Sequence, residues 1–218
     1  TVAGRIQAIG GASMDAGENV LLNGGSLASN GAIGIAAGTG SINVSKAAAD
    51  GYAIDTSAAL SMSALNDITV AGGIQALGGA SMDAGDNVLL NGGSLKSDSD
   101  ISIAAGTGVG TDGTGSIVVK AATADADEYA IFTNKKLSMS ANNDITVAGR
   151  IKALSYLTLS AGDINVSKAA ADGYAIDTAA GLTMRARKDI TVIGRIQAFD
   201  GALMDAGDNV LLNGGSLA

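Results

Sequence analysis

The stretch Thr1–Leu27 reads TVAGRIQAIGGASMDAGENVLLNGGSL, and it returns at Thr69–Leu95 with only three changes. A third version, TVIGRIQAFDGALMDAGDNVLLNGGSL, occupies Thr191–Leu217. A different sequence, INVSKAAADGYAIDT, occurs at Ile42–Thr56 and again at Ile164–Thr178. Repetition of this kind is typical of proteins that stack one small structural unit many times.

A shorter period, of about 20 residues, underlies these long copies. The apolar residue at the centre of ASMDA and its variants recurs along the chain, and alanine follows it two residues later each time. These alanines are Ala16, Ala37, Ala64, Ala84, Ala105, Ala141, Ala161, Ala186 and Ala206. Segments such as LSMSA and DITV alternate apolar and polar residues, which is the pattern of a strand with one buried face.

Each period contains three strand-like elements separated by short turns, and no single unit could bury its apolar face alone. We therefore predict an all-β, three-faced parallel β-solenoid of about 20-residue coils. Residues 1–218 are expected to form one solenoid segment of about nine to ten coils, cut from a longer repeat array. At ~4.8 Å per coil, nine coils give a rod roughly 40–45 Å long. The small alanine side chains are expected where a wall turns a tight corner into the interior.

Four longer stretches are predicted to be loops that project from one corner of the solenoid, where lateral specificity would lie. They fall near 45–51, 107–115, 120–128 and 167–173. GVGTDG (Gly108–Gly113) matches a dinucleotide-binding pattern, but strand-like SIVVK follows it instead of a helix, so we interpret it as a loop. The acidic cluster Asp125, Asp127 and Glu128 could trap an ion, but a solvated loop is the favoured interpretation.

The composition excludes several classes of chemistry. With no Cys and no His, the chain has no disulfide or thiolate and lacks the usual general base. Its 32 Gly and absence of Pro suit many turns and unbroken strands. A net charge of −8 argues against nucleic acid or anionic membranes as partners, and no apolar run is long enough for membrane insertion.

The sequence LSMSALNDITVAGGIQALGGASMDAGDNVLLNGGSL (Leu60–Leu95) resembles the central repeats of filamentous haemagglutinin-type adhesins, which Gram-negative bacteria export by two-partner secretion. The resemblance covers essentially the whole chain and lies in the alternating cadence rather than in a catalytic signature. It implies a right-handed parallel β-helix that forms a long shaft on the bacterial cell surface. The family's secretion domain and an Arg-Gly-Asp motif are not recognisable here, so the resemblance assigns no role to any residue.

A polar column precedes the second strand element of each coil, and aspartate fills it at Asp144, Asp163 and Asp189. Stacking would place these carboxylates about 5 Å apart. One interpretation is a Ca²⁺ site like those of β-helical polysaccharide lyases, with a basic residue as the proton acceptor. Turn capping is the favoured prediction, because Asp and Asn hydrogen-bond turn amides, and Asn or Ser fills the same column in other coils.

Basic residues that gather late in the chain form a predicted patch for acidic sugars, the alternative being ordinary surface charge. They are Arg150, Lys152, Arg185, Arg187 and Arg195. The first four alternate with apolar residues and are expected to face solvent. Two NVS sequences, at Asn43 and Asn165, match the N-glycosylation pattern, although a three-letter match within a strand has little specificity.

We predict a shaft segment of a secreted, surface-exposed bacterial adhesin, which attaches to host cells by extending binding regions from the cell surface. Its expected partners are a host cell-surface glycan or receptor, through the full-length adhesin, and an outer-membrane secretion partner. No enzymatic activity, cofactor or metal is expected. The alternatives are a glycan- or host-protein-binding module that uses corner loops or the basic patch and, more remotely, a β-helical polysaccharide lyase or hydrolase. End-to-end association of the isolated segment is also expected, since open ends expose strand edges.

Overall fold

The computed structural model describes residues 1–45, 51–107, 114–121, 129–167 and 173–218, and these residues form 28 strands and no helix. The strands are arranged in three parallel sheets of ten, nine and nine strands. The chain visits the sheets in strict rotation, one strand at a time. The predicted three-faced, right-handed parallel β-helix is therefore confirmed.

The sheets are named here in the order in which the chain meets them. Sheet 1 contains β1 (Arg5–Ala8), β4 (Ser26–Ser29), β7 (Ile54–Thr56), β10 (Ile74–Ala76), β13 (Leu95–Ser97), β16 (Ile131–Thr133), β19 (Ile151–Ala153), β22 (Ile176–Thr178), β25 (Arg195–Ala198) and β28 (Ser216–Leu217). Sheet 2 contains β2 (Ala12–Ala16), β5 (Ile33–Ala37), β8 (Leu60–Ala64), β11 (Ala80–Ala84), β14 (Ile101–Ala105), β17 (Leu137–Ala141), β20 (Leu157–Ala161), β23 (Leu182–Ala186) and β26 (Ala202–Ala206). Sheet 3 contains β3 (Val20–Leu22), β6 (Ile42–Val44), β9 (Ile68–Val70), β12 (Val88–Leu90), β15 (Ile117–Val119), β18 (Asp144–Val147), β21 (Asp163–Val166), β24 (Ile190–Val192) and β27 (Val210–Leu212).

Equivalent residues of successive coils pair in register, so each inward position forms a column along the interior. In sheet 2, for example, Met62 pairs with Met82, which pairs with Ile103. The alanine column is the last inward position of sheet 2, and from Ala37 to Ala186 every member is buried. The prediction that alanine lines a tight corner is thus confirmed, because the chain turns from sheet 2 toward sheet 3 immediately after it.

A buried polar column that the sequence analysis missed lies where sheet 1 turns toward sheet 2. Its members are Ser29, Thr56, Ser97, Thr133 and Thr178. The Thr56 hydroxyl donates to the carbonyl of Gly31 in the preceding coil at 2.7 Å and accepts from the Ala58 amide at 3.1 Å. Each hydroxyl therefore satisfies backbone groups of the turn, and in this coil it ties two coils together.

The four predicted insertions lie mostly outside the described residues, but the strands that flank them are described. Three of them, near 45–51, 120–128 and 167–173, connect sheet 3 to sheet 1. The one near 107–115 connects β14 in sheet 2 to β15 in sheet 3. The prediction of a single loop-bearing corner was therefore wrong, because the sequence period alone does not say at which turn of a coil extra residues enter.

Candidate functional site

The aspartate column at the start of sheet 3 caps turns. The Asp163 carboxylate accepts a hydrogen bond from the Asp189 amide at 3.0 Å. Asp189 in turn accepts one from the Asn209 amide at 3.0 Å and one from its side-chain nitrogen at 2.9 Å. The turn-capping prediction is confirmed for these two residues. Within the described ranges, no group of three acidic residues is placed to hold a metal ion.

Asp144 departs from this pattern because the next coil is one residue shorter at the same corner. Only Gly162 separates β20 from β21, whereas Asn142 and Asn143 separate β17 from β18. The Asp163 amide donates to the Asn143 carbonyl at 3.3 Å, and Asp144 Oδ1 is buried with no described donor. The guanidinium of Arg187 crosses the shortened turn and donates to the Asn142 carbonyl. Arg187 thus holds the corner together.

The five basic residues predicted as one patch lie in three places. Arg150, Lys152 and Arg195 lie on the outer side of sheet 1, and Arg185 lies on that of sheet 2. Arg187 lies at the corner between sheets 2 and 3. The structure does not bring them together, because they lie on two different sheets and at a corner of the solenoid.

Of the three weaker sequence signals, the NVS pattern lies within the described residues and the other two do not. Asn43 in β6 and Asn165 in β21 are half-buried and lie on the outer side of sheet 3, within strands as predicted. The GVGTDG loop (Gly108–Gly113) and the acidic cluster Asp125, Asp127 and Glu128 lie outside the described residues.

On the outer side of sheet 1, Tyr129 is the centre of a cluster of charged and aromatic side chains. The guanidinium carbon of Arg150 lies 4.6 Å from the centre of the Tyr129 ring, and Nζ of Lys152 lies 5.7 Å from it. Lys152 also forms an ion pair of 2.9 Å with Asp177 in the next coil. The hydrogen bond to Asp177 raises the pKa of Lys152 above its ordinary 10.5, against an opposing effect of burial. The cluster links three successive coils.

We expect the Lys152–Asp177 pair to stabilise the fold up to pH 10.5 and to lose this contribution as the pH rises through the raised pKa of Lys152. Asp177→Asn should therefore flatten the fall in stability that begins as the pH rises above 10.5, measured by urea denaturation at each pH. Asp55→Asn is the matched control, because Asp55 occupies the same place in the identical sequence AIDT and its carboxylate accepts from Gln75. An equally flattened profile for both variants would contradict this assignment.

The contact between tyrosine and arginine occurs at two tyrosines and is missing at a third, Tyr52. Arg195 lies over the Tyr174 ring at 4.6 Å, one coil further along, as Arg150 does over Tyr129. Tyr52 begins an identical YAIDT sequence, but the residue in the arginine position of the following coil is Gly73. A Cβ atom built on Gly73 would lie 3.1 Å from Cδ1 of Tyr52. Gly73 therefore has no side chain that could cover the Tyr52 ring as arginine covers the other two rings.

A cleft of about 260 Å³ opens at this point on the outer side of sheet 1. It is lined by Tyr52, Ser94, Leu95, Lys96, Tyr129 and Phe132. A second groove of about 350 Å³ continues along the same face toward the first coils, where Gln7, Asn30, Asp55 and Gln75 line it. Gln75 pairs in register with Lys96, so the two depressions are neighbours. We call the first depression the Tyr52 cleft and the second the polar groove.

Comparison of the chain with protein-family models, curated proteins and solved structures found no significant match. In the part of the chain that the structure describes, no helix is long and apolar enough to cross a bilayer.

Proposed function

We propose that the chain is a shaft segment of a secreted bacterial adhesin, which holds binding regions away from the cell surface and so promotes attachment to host cells. The observation that carries the proposal is the unbroken stack of three sheets, in which every coil pairs with the next in the same register. Such a stack gains length without needing a new core, which is the requirement of a spacer. The resemblance to filamentous haemagglutinin-type repeats supports a site of action on the cell surface.

The partners proposed with this role follow from the same resemblance. They are an outer-membrane secretion partner and, through the full-length adhesin, a host glycan or receptor. End-to-end association of the isolated segment stays a prediction.

Length is expected to change in steps of one coil. Residues 65–84 form one whole period, since Ala64 and Ala84 occupy equivalent positions in β8 and β11. Tandem insertion of one, two and three further copies after Ala84 should lengthen the particle by ~4.8 Å per copy, measured by small-angle X-ray scattering. Each variant should keep a cooperative unfolding transition. Particles that widen instead of lengthening would contradict the spacer proposal.

A replacement experiment separates a spacer from a binding module. In the full-length protein on the bacterial surface, residues 1–218 are replaced by an unrelated β-solenoid with the same number of coils. A spacer predicts that adhesion to host cells is retained after replacement and falls after deletion of the whole segment. Loss of adhesion after the replacement, with normal export, would contradict the proposal and favour a binding function of this surface.

A further inference from the structure

The Tyr52 cleft differs from the rest of sheet 1 because two successive coils contribute a small residue between its tyrosines. Tyr52 and Tyr129 are three coils apart, which is ~14 Å along the solenoid. The intervening coils contribute Gly73 and Ser94 at the equivalent outer position. In the coils that follow Tyr129 and Tyr174, that position is arginine, and its guanidinium covers the ring. Gly73 carries no such side chain, and the cleft lies between Tyr52 and Tyr129.

The lining of the cleft combines aromatic faces with hydrogen-bonding groups. Tyr52, Tyr129 and Phe132 are half-buried, and the rings of Tyr129 and Phe132 lie 6.0 Å apart. Ser94 supplies a hydroxyl, and the exposed Lys96 supplies an ammonium group with three donors. A ligand that fits must offer an apolar face to a ring and several oxygen acceptors around its edge. A pyranose sugar has this combination, with a C–H face and a rim of hydroxyls.

We propose that the Tyr52 cleft binds a pyranose of an oligosaccharide, which stacks on Tyr52 and receives hydrogen bonds from Ser94 and Lys96. The volume of about 260 Å³ lies just below the range of about 300–1,000 Å³ of pockets for drug-sized ligands, so it suits one sugar ring better than a larger group. The inference is independent of the shaft role, because a spacer needs no binding cleft.

The polar groove supplies room for further sugar units. It begins at Gln75, beside Lys96, and runs along the same face over the preceding coils. Its amide and carboxylate groups, from Gln7, Asn30, Asp55 and Gln75, can donate to and accept from hydroxyls. An oligosaccharide lying along sheet 1 would therefore meet an aromatic end and a polar end.

A guanidinium or ammonium ligand is the competing occupant, since arginine itself covers the equivalent rings. The charges in the cleft disfavour it. Around Tyr129, the two cations Arg150 and Lys152 are accompanied by the carboxylate of Asp177. Around the Tyr52 cleft, Lys96 is present and no described carboxylate is part of the lining, so a second cation would meet charge of its own sign.

Gly73→Arg is the decisive variant, because it places over Tyr52 the side chain that the fold already accepts over Tyr129 and Tyr174. Tyr52 has only to move by a few tenths of an ångström to admit the new Cβ. Gly34→Arg is the matched control. Gly34 lies on the outer side of sheet 2, where the nearest atom to a new Cβ, Ser13 Oγ, is 4.0 Å away.

The 218-residue chain and both variants are applied to an array of neutral and acidic oligosaccharides, and retained glycans are then titrated by tyrosine fluorescence, since the chain has no Trp. We expect Gly73→Arg to weaken binding at least about tenfold, while Gly34→Arg binds like the unchanged chain. Equal unfolding curves show that the cleft, not the fold, has changed. The proposal is overturned if no glycan is retained, if the two variants bind alike, or if arginine ethyl ester quenches the fluorescence where sugars do not.

Discussion

Gly85→Ala is expected to lower the free energy of unfolding by about 1–3 kcal/mol, as overpacked interiors do. Gly85 is buried immediately after the alanine column, where the chain turns from sheet 2 toward sheet 3. A Cβ atom at this position would lie 1.8 Å from the carbonyl oxygen of Leu65 in the preceding coil. Backbone atoms cannot rotate away as a side chain can, so the two coils must separate locally. Urea denaturation followed by circular dichroism measures the loss.

Gly17→Ala is the control for this variant, since Gly17 occupies the same place in the first coil and would meet nothing within 4 Å. We expect it to be neutral or to stabilise by up to about 1 kcal/mol, because alanine restricts the unfolded chain. Equal destabilisation by the two substitutions would mean that the backbone preference of alanine at this turn, not the approach of the neighbouring coil, decides the effect.

Thr56→Val is expected to cost about 1–3 kcal/mol by removing a hydroxyl that satisfies two backbone groups without changing the size of the side chain. The carbonyl of Gly31 and the amide of Ala58 would lose their partner. The same change at Thr133 and Thr178 should add to it, because these residues lie several coils away and share no partners. The triple variant therefore has the largest expected loss of stability.

Thr56→Ser should recover most of the stability of the single variant, since serine fills the same column at Ser29 and Ser97. Both variants are compared with the unchanged chain by urea denaturation. If the valine variant is as stable as the unchanged chain, the hydroxyl contributes nothing to stability and its assigned role would be wrong.

The fold could be predicted because its signal is local and repeated many times. Alternation in LSMSA gives the buried face of a strand, and an alanine after each such strand gives the position of a corner. The same alternation places Thr56 and Thr178 inward, two residues after a buried isoleucine, so their column was within reach of the sequence. It was missed because a polar residue was assumed to face solvent.

The site was less accessible to sequence reasoning, because its contacts join residues that are one coil apart. Tyr129 and Arg150 are neighbours only through the register of sheet 1, which the large insertion before Tyr129 obscures. The basic residues were grouped by their nearness in sequence, although Arg185 and Arg195 point away from different walls. Gly73 is informative only by comparison with the arginines that replace it in other coils.

The register of the three sheets also determines how the molecule responds to a mechanical load. Hydrogen bonds between coils run along the length of the stack, so tension between the two chain ends pulls on them directly instead of shearing strands past one another. Such a load opens the outermost coil first and leaves the next one intact. Each coil of about 20 residues releases roughly 65–70 Å of extended chain. The stack would therefore lengthen under force in many small steps and dissipate a sudden pull.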